Sequence, residues 1–462
     1  MSVSPLNRST FLIVVASLVM AASPVVAGEK LKVFILAGQS NTVGHARGHT
    51  IATLYKSDKP GDKALTRLVF KDNATISKAM DEQLARARKI DELSGGIGLP
   101  KLKKMPDGPK KKALQALVDE AIEAHERYKR SVIDACAVSD RVYVTSIADR
   151  NIRDGKLSVG YGADELKIGT EYGFGLSIAE TFDGPILLIK TSWGGKSLTY
   201  DFRPPSAPDF KSTTAYANAK AKAKDAQKSY EERVKRFPET EKKYAADLAA
   251  YNEKLKNADE NTKKRLRAPR KPKKPRPPRP FNQDNAGHFW SEMVNHVNKV
   301  LGSPGDYHPA YDASKGFEVA GFVWFQGFND QFDPEYRGNY AENMKLFIND
   351  IRKEVKTPNM PFVIGVLGTA RTKEGVDANE VSRAQRKAAE FPEFKDNVRA
   401  VESYTQYSDY SHKVYMKGWP EHYHEWDTVG SDRPYHYLGS GAFFVRLGDS
   451  FANALAGLIA KQ

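Results

Sequence analysis

The run Leu-Lys-Val-Phe-Ile-Leu-Ala-Gly at 31–38 constrains this chain more than any other stretch. Val33, Phe34, Ile35, Leu36 and Ala37 are apolar without alternation, which suits a strand covered on both faces in a parallel sheet. Gly38-Gln39-Ser40-Asn41 then turns the chain at the carboxyl end of that strand, where open α/β sheets hold their ligands. Ser40 is the hydroxyl such a turn presents. A turn alone does not make a nucleophile, so a base and oxyanion donors have to come from elsewhere in the chain.

Further runs of the same kind follow at 141–147, 185–190, 317–325, 361–367 and 398–403. Between them lie segments with helical spacing of apolar residues, at 113–128, 288–300, 336–354, 381–390 and 440–458, together with a helix in the second half of 162–180. Strand, loop and helix alternate as in a doubly wound α/β domain.

Two features stand outside this alternation. Arg8 followed by an apolar run over 11–22, then Val25-Val26-Ala27, reads as a signal peptide over 1–27 ahead of a mature chain at 28–462. The expected location is therefore exported, periplasmic or extracellular, with no transmembrane span after signal removal. An uncleaved anchor is the competing reading. A single cysteine, Cys136, excludes an intramolecular disulfide framework.

The second feature is charge. The chain carries a net +14, and residues 211–280 alone hold 22 Lys or Arg against nine Asp or Glu. The remainder is close to neutral, which argues against a basic groove spread across the fold. Within the basic segment, 215–256 has helix-forming composition with a sparse apolar stripe (Tyr230, Val234, Tyr244, Leu248, Tyr251, Leu255). Repeated proline over 265–280 forbids helix and favours an extended strap. The expectation is a helical hairpin and strap inserted at about 206–284, after a first helical insertion at about 76–135. A solvated insertion is the plain reading. Contact with an acidic polymer or the cell envelope through 211–280 is the functional one, and no specific nucleic acid is expected.

Three later blocks bear on Ser40. Thr191-Ser192-Trp193-Gly194-Gly195 follows the 185–190 strand, and its two glycines let backbone N–H groups approach a ligand as an oxyanion hole requires. Trp324-Phe325-Gln326-Gly327-Phe328-Asn329-Asp330 closes another buried strand, where the Gln326 amide is either an oxyanion donor or a tie between loops. Gly430 to Gly439 contains His436 in a loop before the last helix, with Asp432 four residues earlier, a base with an orienting carboxylate.

In this order the blocks resemble the SGNH hydrolases, in the sialate O-acetylesterase-like branch that includes carbohydrate esterase family six. The Gly-Gln-Ser-Asn block stands intact at 38–41, the Gly-Gly block at 194–195, and Trp-x-Gln-Gly at 324–327. Two positions depart. Phe328 stands where the branch carries glutamate, and Arg433 stands where it carries the acid three residues before the histidine.

The resemblance implies a three-layer α/β/α, flavodoxin-like domain with a central parallel sheet and helical insertions. It implies a serine-type carboxylic ester hydrolase in which Ser40, His436 and Asp432 are catalytic, with Asp427, Asp330 and Glu425 as alternative acids. Ser40, Gly194, Gly195 and Gln326 would hold the oxyanion, and Gln39, Asn41, Trp193, Trp324 and Asn329 would face the substrate. No metal or other cofactor is implied. The substrate would be an acetylated oligo- or polysaccharide, for which Tyr404, Tyr407, Tyr410, Trp419, Tyr423 and Trp426 offer sugar-facing aromatics. His45, His412, His422 and His424 are further pocket candidates, and His422 with His424 is a weak metal pattern. The rival reading is a non-catalytic carbohydrate- or polyanion-binding protein on a degenerate hydrolase fold.

Overall fold

The structure, a computed structural model, describes residues 29–57, 59–70 and 73–462. The signal-peptide expectation over 1–27 lies outside the described residues.

Seven strands form one sheet: β1 (Leu31–Gly38), β2 (Val142–Ala148), β3 (Asn151–Lys156), β4 (Ile186–Ser192), β5 (Phe317–Phe325), β6 (Phe362–Val366) and β7 (Val398–Glu402). Their order is β3-β2-β4-β1-β5-β6-β7. All pairs are parallel except β2 with β3 at the edge. The edge strand escapes the sequence reading because Asn-Ile-Arg-Asp-Gly-Lys is half solvated and has no apolar run, and its Ile152 is exposed.

β1 explains why both faces are covered. Leu31, Val33, Ile35 and Ala37 enter one buried cluster and Phe34 and Leu36 the other, the period-two alternation of a strand between two helical layers. Each of the larger of these side chains contributes about 1.5–3 kcal/mol when removed from water.

The helices used below are α1 (Ser40–Val43), α2 (Asn73–Ser94), α3 (Pro109–Ala135), α4 (Thr170–Ile178), α5 (Thr214–Asn257), α6 (His288–Gly302), α7 (Pro334–Glu354), α8 (Glu380–Ala389), α9 (Tyr423–Val429) and α10 (Gly441–Ile459). α4 and α10 cover the Phe34 face, and α6, α7 and α8 cover the Val33 face. Together they complete the three-layer α/β/α, SGNH-like domain. Among the described residues α10 alone is long and apolar enough to cross a membrane, but most of it is buried in this core.

Register fixes where the site falls. Gly38 pairs with Ser192 on one side and with Phe325 on the other. The loops beginning at Gln39, Trp193 and Gln326 therefore leave the sheet side by side. The chain visits strands on one side of β1 before crossing to the other, so this is the topological switch point.

Helices fill most of 76–135 and of 214–257. α2 and α3 dock on α9: the Asp91 carboxylate accepts from the N–H groups of His424 (3.0 Å) and Glu425 (2.9 Å), capping the first turn of α9. The expected hairpin over 215–256 is not formed. α5 is one helix of 44 residues, started by the Thr213 hydroxyl accepting from Tyr216 N–H. It passes through Pro238. A proline costs one helical hydrogen bond and crowds the carbonyl four residues back, a cost that is bearable on a helix as exposed as this one.

Candidate active site

Gly38 has the closest backbone approach in the site. A Cβ there would lie 2.2 Å from Phe325 O and 2.4 Å from Thr42 Oγ1, so only glycine lets β1 meet β5 this closely. The chain then enters α1 at once, with Ser40 as its first residue and Thr42 Oγ1 donating to Phe325 O at 2.7 Å.

Gln39 ties the neighbouring loop to this turn. Its Oε1 accepts from Gln326 Nε2 (3.1 Å), Gly327 N–H (3.1 Å) and Asn329 N–H (3.3 Å). Asn329 Nδ2 donates to Gly195 O at 2.6 Å, and Trp193 N–H donates to Gly38 O at 3.2 Å. Asn41 Nδ2 donates to Tyr435 O at 3.2 Å, which brings the residue after Ser40 against the residue before His436. All four sequence blocks thus converge at the carboxyl end of the sheet.

His436 Nδ1 lies 3.2 Å from Asp432 Oδ2, an ion-pair distance at an angle outside hydrogen-bond geometry. The other candidate acids are engaged elsewhere. Asp427 meets His125 and Lys129, Glu425 meets Arg88 and Lys417, and Asp330 accepts from Leu198 and Thr199 N–H. Desolvation raises the Asp432 carboxyl, but the close His436 imidazole and the hydrogen bond from Arg433 N–H outweigh it and hold it below its ordinary value.

The His45 ring stacks on His436, with centroids 4.1 Å apart and planes 2° from parallel, and its Nδ1 is 3.6 Å from the same Asp432 oxygen. Burial first, then repulsion from His436, pushes His45 down to about 4. His45 is consequently neutral at ordinary pH and leaves the Asp432 charge to His436. The sequence offered His45 only as a pocket residue.

Several expected assignments change. The Gly194 N–H is taken by the Asp149 carboxylate at 2.7 Å, a partner not anticipated from the sequence. Gly195 sits at φ +70°, a conformation that favours glycine, and its N–H and that of Ser40 carry no hydrogen bond to the described residues. The Gln326 amide is buried and its Nε2 faces Asp330 Oδ2 (2.6 Å), Lys196 O (2.9 Å) and Gln39, so it ties loops together and has no donor left for an oxyanion. Trp324 lies wholly in the core, against Phe347 at 4.4 Å and with its N–H on Tyr340 Oη, and faces no substrate. Gln39 is likewise enclosed, and Trp193 stays partly exposed beside Phe289.

Phe328, at the departed glutamate position, makes an aromatic rim with Phe332 and Tyr435 at centroid distances of 5.3 and 6.0 Å. Asp432 also lines a cavity of about 540 Å³ that opens between α3 and residues 419–433. Trp419, Tyr423, Arg47 and Arg433 line it, with the Arg433 guanidinium 4.2 Å over the Trp419 ring. His125, Glu126 and Asp427 also meet there as potential metal donors, but the Lys129 ammonium already bridges the two carboxylates. His422 and His424 do not converge, since His424 Nδ1 turns to Asp91 at 2.8 Å.

One consequence concerns acid stability. His49 is fully buried with Nε2 on Asp427 O at 2.6 Å, and burial, opposed by Asp427, pushes it down to about 4. The unfolded chain takes up this proton near pH 6.5 and the folded protein only near 4. Stability is therefore full above pH 6.5 and lost as pH falls towards 4, by about 3 kcal/mol for this histidine. Urea unfolding at pH 7 and pH 4.5 should show the loss, and His49→Asn should flatten it. An equal slope in parent and variant would refute the assignment.

A three-layer α/β/α domain with these loops at its switch point has an SGNH-like fold. Residues 281–413 match the family model described as carbohydrate esterase, sialic acid-specific acetylesterase. That segment spans α6 to β7 and includes the Gln326 to Asp330 loop. No curated protein matches the chain. Among solved structures, a protein from Arabidopsis thaliana is similar at 12% identity and TM-score 0.39, covering 92% of this chain and 98% of that one. A carbohydrate acetylesterase from Xanthomonas citri is similar at 11% identity and TM-score 0.32, covering 80% of this chain and 49% of that one.

Proposed function

We propose that the protein is an exported carbohydrate O-acetylesterase that hydrolyses acetyl esters on sugars through an acyl-enzyme on Ser40. One observation carries the reading: the Asn41–Tyr435 hydrogen bond holds the Ser40 turn against a His436–Asp432 pair, in a chain that matches carbohydrate esterases over 281–413.

Ser40 Oγ attacks the ester carbonyl while His436 takes its proton. The negative oxygen is held by the Ser40 and Gly195 N–H groups. Asp432 orients the imidazole and stabilises its charged form. The tetrahedral species collapses, the C–O bond to the sugar breaks, and His436 returns the proton to the departing sugar hydroxyl. Water, deprotonated by His436, then attacks the acetyl-serine, releasing acetate and restoring Ser40. Two oxyanion donors, each typically worth a hundredfold or more in turnover, suffice without Gln326.

The aromatic rim at Phe328 gives a flat apolar face beside the pair, as a sugar ring requires, and the cavity lined by Asp432 offers Tyr423 and charged groups for its hydroxyls. The test is release of chromophore from a small aryl acetate, combined with an organophosphonate serine reagent. Turnover that stops as one phosphonyl group appears on the peptide containing Ser40 is the expected result. No turnover, or modification elsewhere, would move the binding-protein reading to the front.

A further inference from the structure

The basic strap and α5 form a two-legged arm whose burial pattern separates its charges from its packing. Along the strap Leu266, Pro269, Pro272, Pro275, Pro278 and Phe281 are half-buried, and the residues between them are exposed. A spacing of three is the period of a polyproline II helix. Along α5 the half-buried stripe includes Tyr230, Phe237, Tyr244, Leu248, Tyr251 and Leu255, at spacings of three, four and seven. The Phe281 ring meets Tyr216 at 5.4 Å, and Lys211 Nζ meets Asp284 Oδ1 at 2.8 Å, so the end of the strap lies at the start of α5. The strap thus returns towards the start of the helix, and its half-buried prolines and the half-buried tyrosine stripe are each other's natural cover.

This arrangement puts Arg267, Arg270, Lys273, Arg276 and Arg279 in one exposed column, again three residues apart, with Lys271 and Lys274 beside it. Residues 266–281 contain no Asp or Glu, and among the described residues no ion pair engages any of these seven cations. At the polyproline rise the column places a cation about every 9 Å over about 37 Å.

We propose that this column is a docking rail for an anionic polysaccharide bearing carboxylate or sulfate groups at spaced intervals. Four of its five heads are arginines, whose planar forks match such oxoanions. The prolines hold the rail straight before binding, so little chain entropy is lost on association. Nucleic acid fits less well: its phosphates recur about every 3.4 Å along a strand, and single strands require exposed aromatics for stacking, whereas the aromatics here face the strap. The rail is separate from Ser40 and does not depend on the esterase reading.

The test measures binding of the full chain to dextran sulfate, polygalacturonate, unsubstituted dextran and duplex DNA at several salt concentrations. Both anionic polysaccharides should bind, with affinity falling steeply as salt rises, and plain dextran should not. Changing Arg267, Arg270, Lys273, Arg276 and Arg279 together to Gln should weaken polysaccharide binding at least tenfold, with the thermal midpoint kept. Changing Pro269, Pro272, Pro275 and Pro278 to Ala, which keeps every charge, should weaken it several-fold. Binding of the Gln variant within twofold of the parent would overturn the rail. Equal binding by the Ala variant would overturn its rigid presentation, and tighter binding of DNA at matched salt would overturn the partner class.

Discussion

Ser40→Ala is expected to lower kcat on a small acetate ester about a million-fold, and His436→Ala by a similar amount, with the double variant little worse than either. Such non-additivity is the signature of groups acting as one unit, because a serine without its base is no better than no serine. The geometry adds a graded expectation for the acid. Asp432 meets His436 at ion-pair distance outside hydrogen-bond geometry, with His45 near the same oxygen. Asp432→Asn should cost less, about ten-thousand-fold, by letting the imidazole adopt the wrong tautomer. Burst and steady-state kinetics on one aryl acetate, beside circular dichroism of each variant, make the comparison. A Ser40→Ala variant that keeps more than a hundredth of parent turnover would sink the acyl-enzyme.

The sheet was legible because its strands are apolar on both faces, and runs such as 31–38, 185–190 and 317–325 have no other home in a chain of this composition. The site blocks were legible as turns directly after those runs. What the sequence could not give was which polar groups in a block are already spent. Gln326 and Gly194 are chemically able to bind an oxyanion, yet Asp330 and Asp149 occupy their N–H groups. Those partners come from loops that meet only when the strands pair in register. The hairpin expected over 215–256 failed for a related reason. A sparse apolar stripe shows where a helix can pack but not where it must turn, and the chain runs on through Pro238 as a single helix.

Lys190 carries the second large prediction. In sequence it closes the apolar run at 185–190. In the fold it lies inside β4 with no exposed surface, and its ammonium donates to Val43 O (2.9 Å), Tyr161 O (2.6 Å) and Glu171 Oε2 (2.7 Å). Glu171 Oε1 in turn accepts from Gly169 N–H at 2.8 Å. Burial pulls the Lys190 pKa below its ordinary value against the opposing pull of Glu171, so the pair survives through its bonds. Val43 ends α1, the helix that begins at Ser40, so Lys190 grips the nucleophile turn from beneath. Lys190→Met should strand a buried carboxylate and two carbonyls and destabilise the protein by about 3–5 kcal/mol, whereas Lys190→Met with Glu171→Gln should recover much of that loss. Urea unfolding of the two single variants and the double variant gives the coupling directly. In the double variant, kcat on the aryl acetate should remain low even where stability returns, because Val43 O has lost its anchor. A single variant within 1 kcal/mol of the parent would refute the structural role, and full activity in the double variant would refute the grip on Ser40.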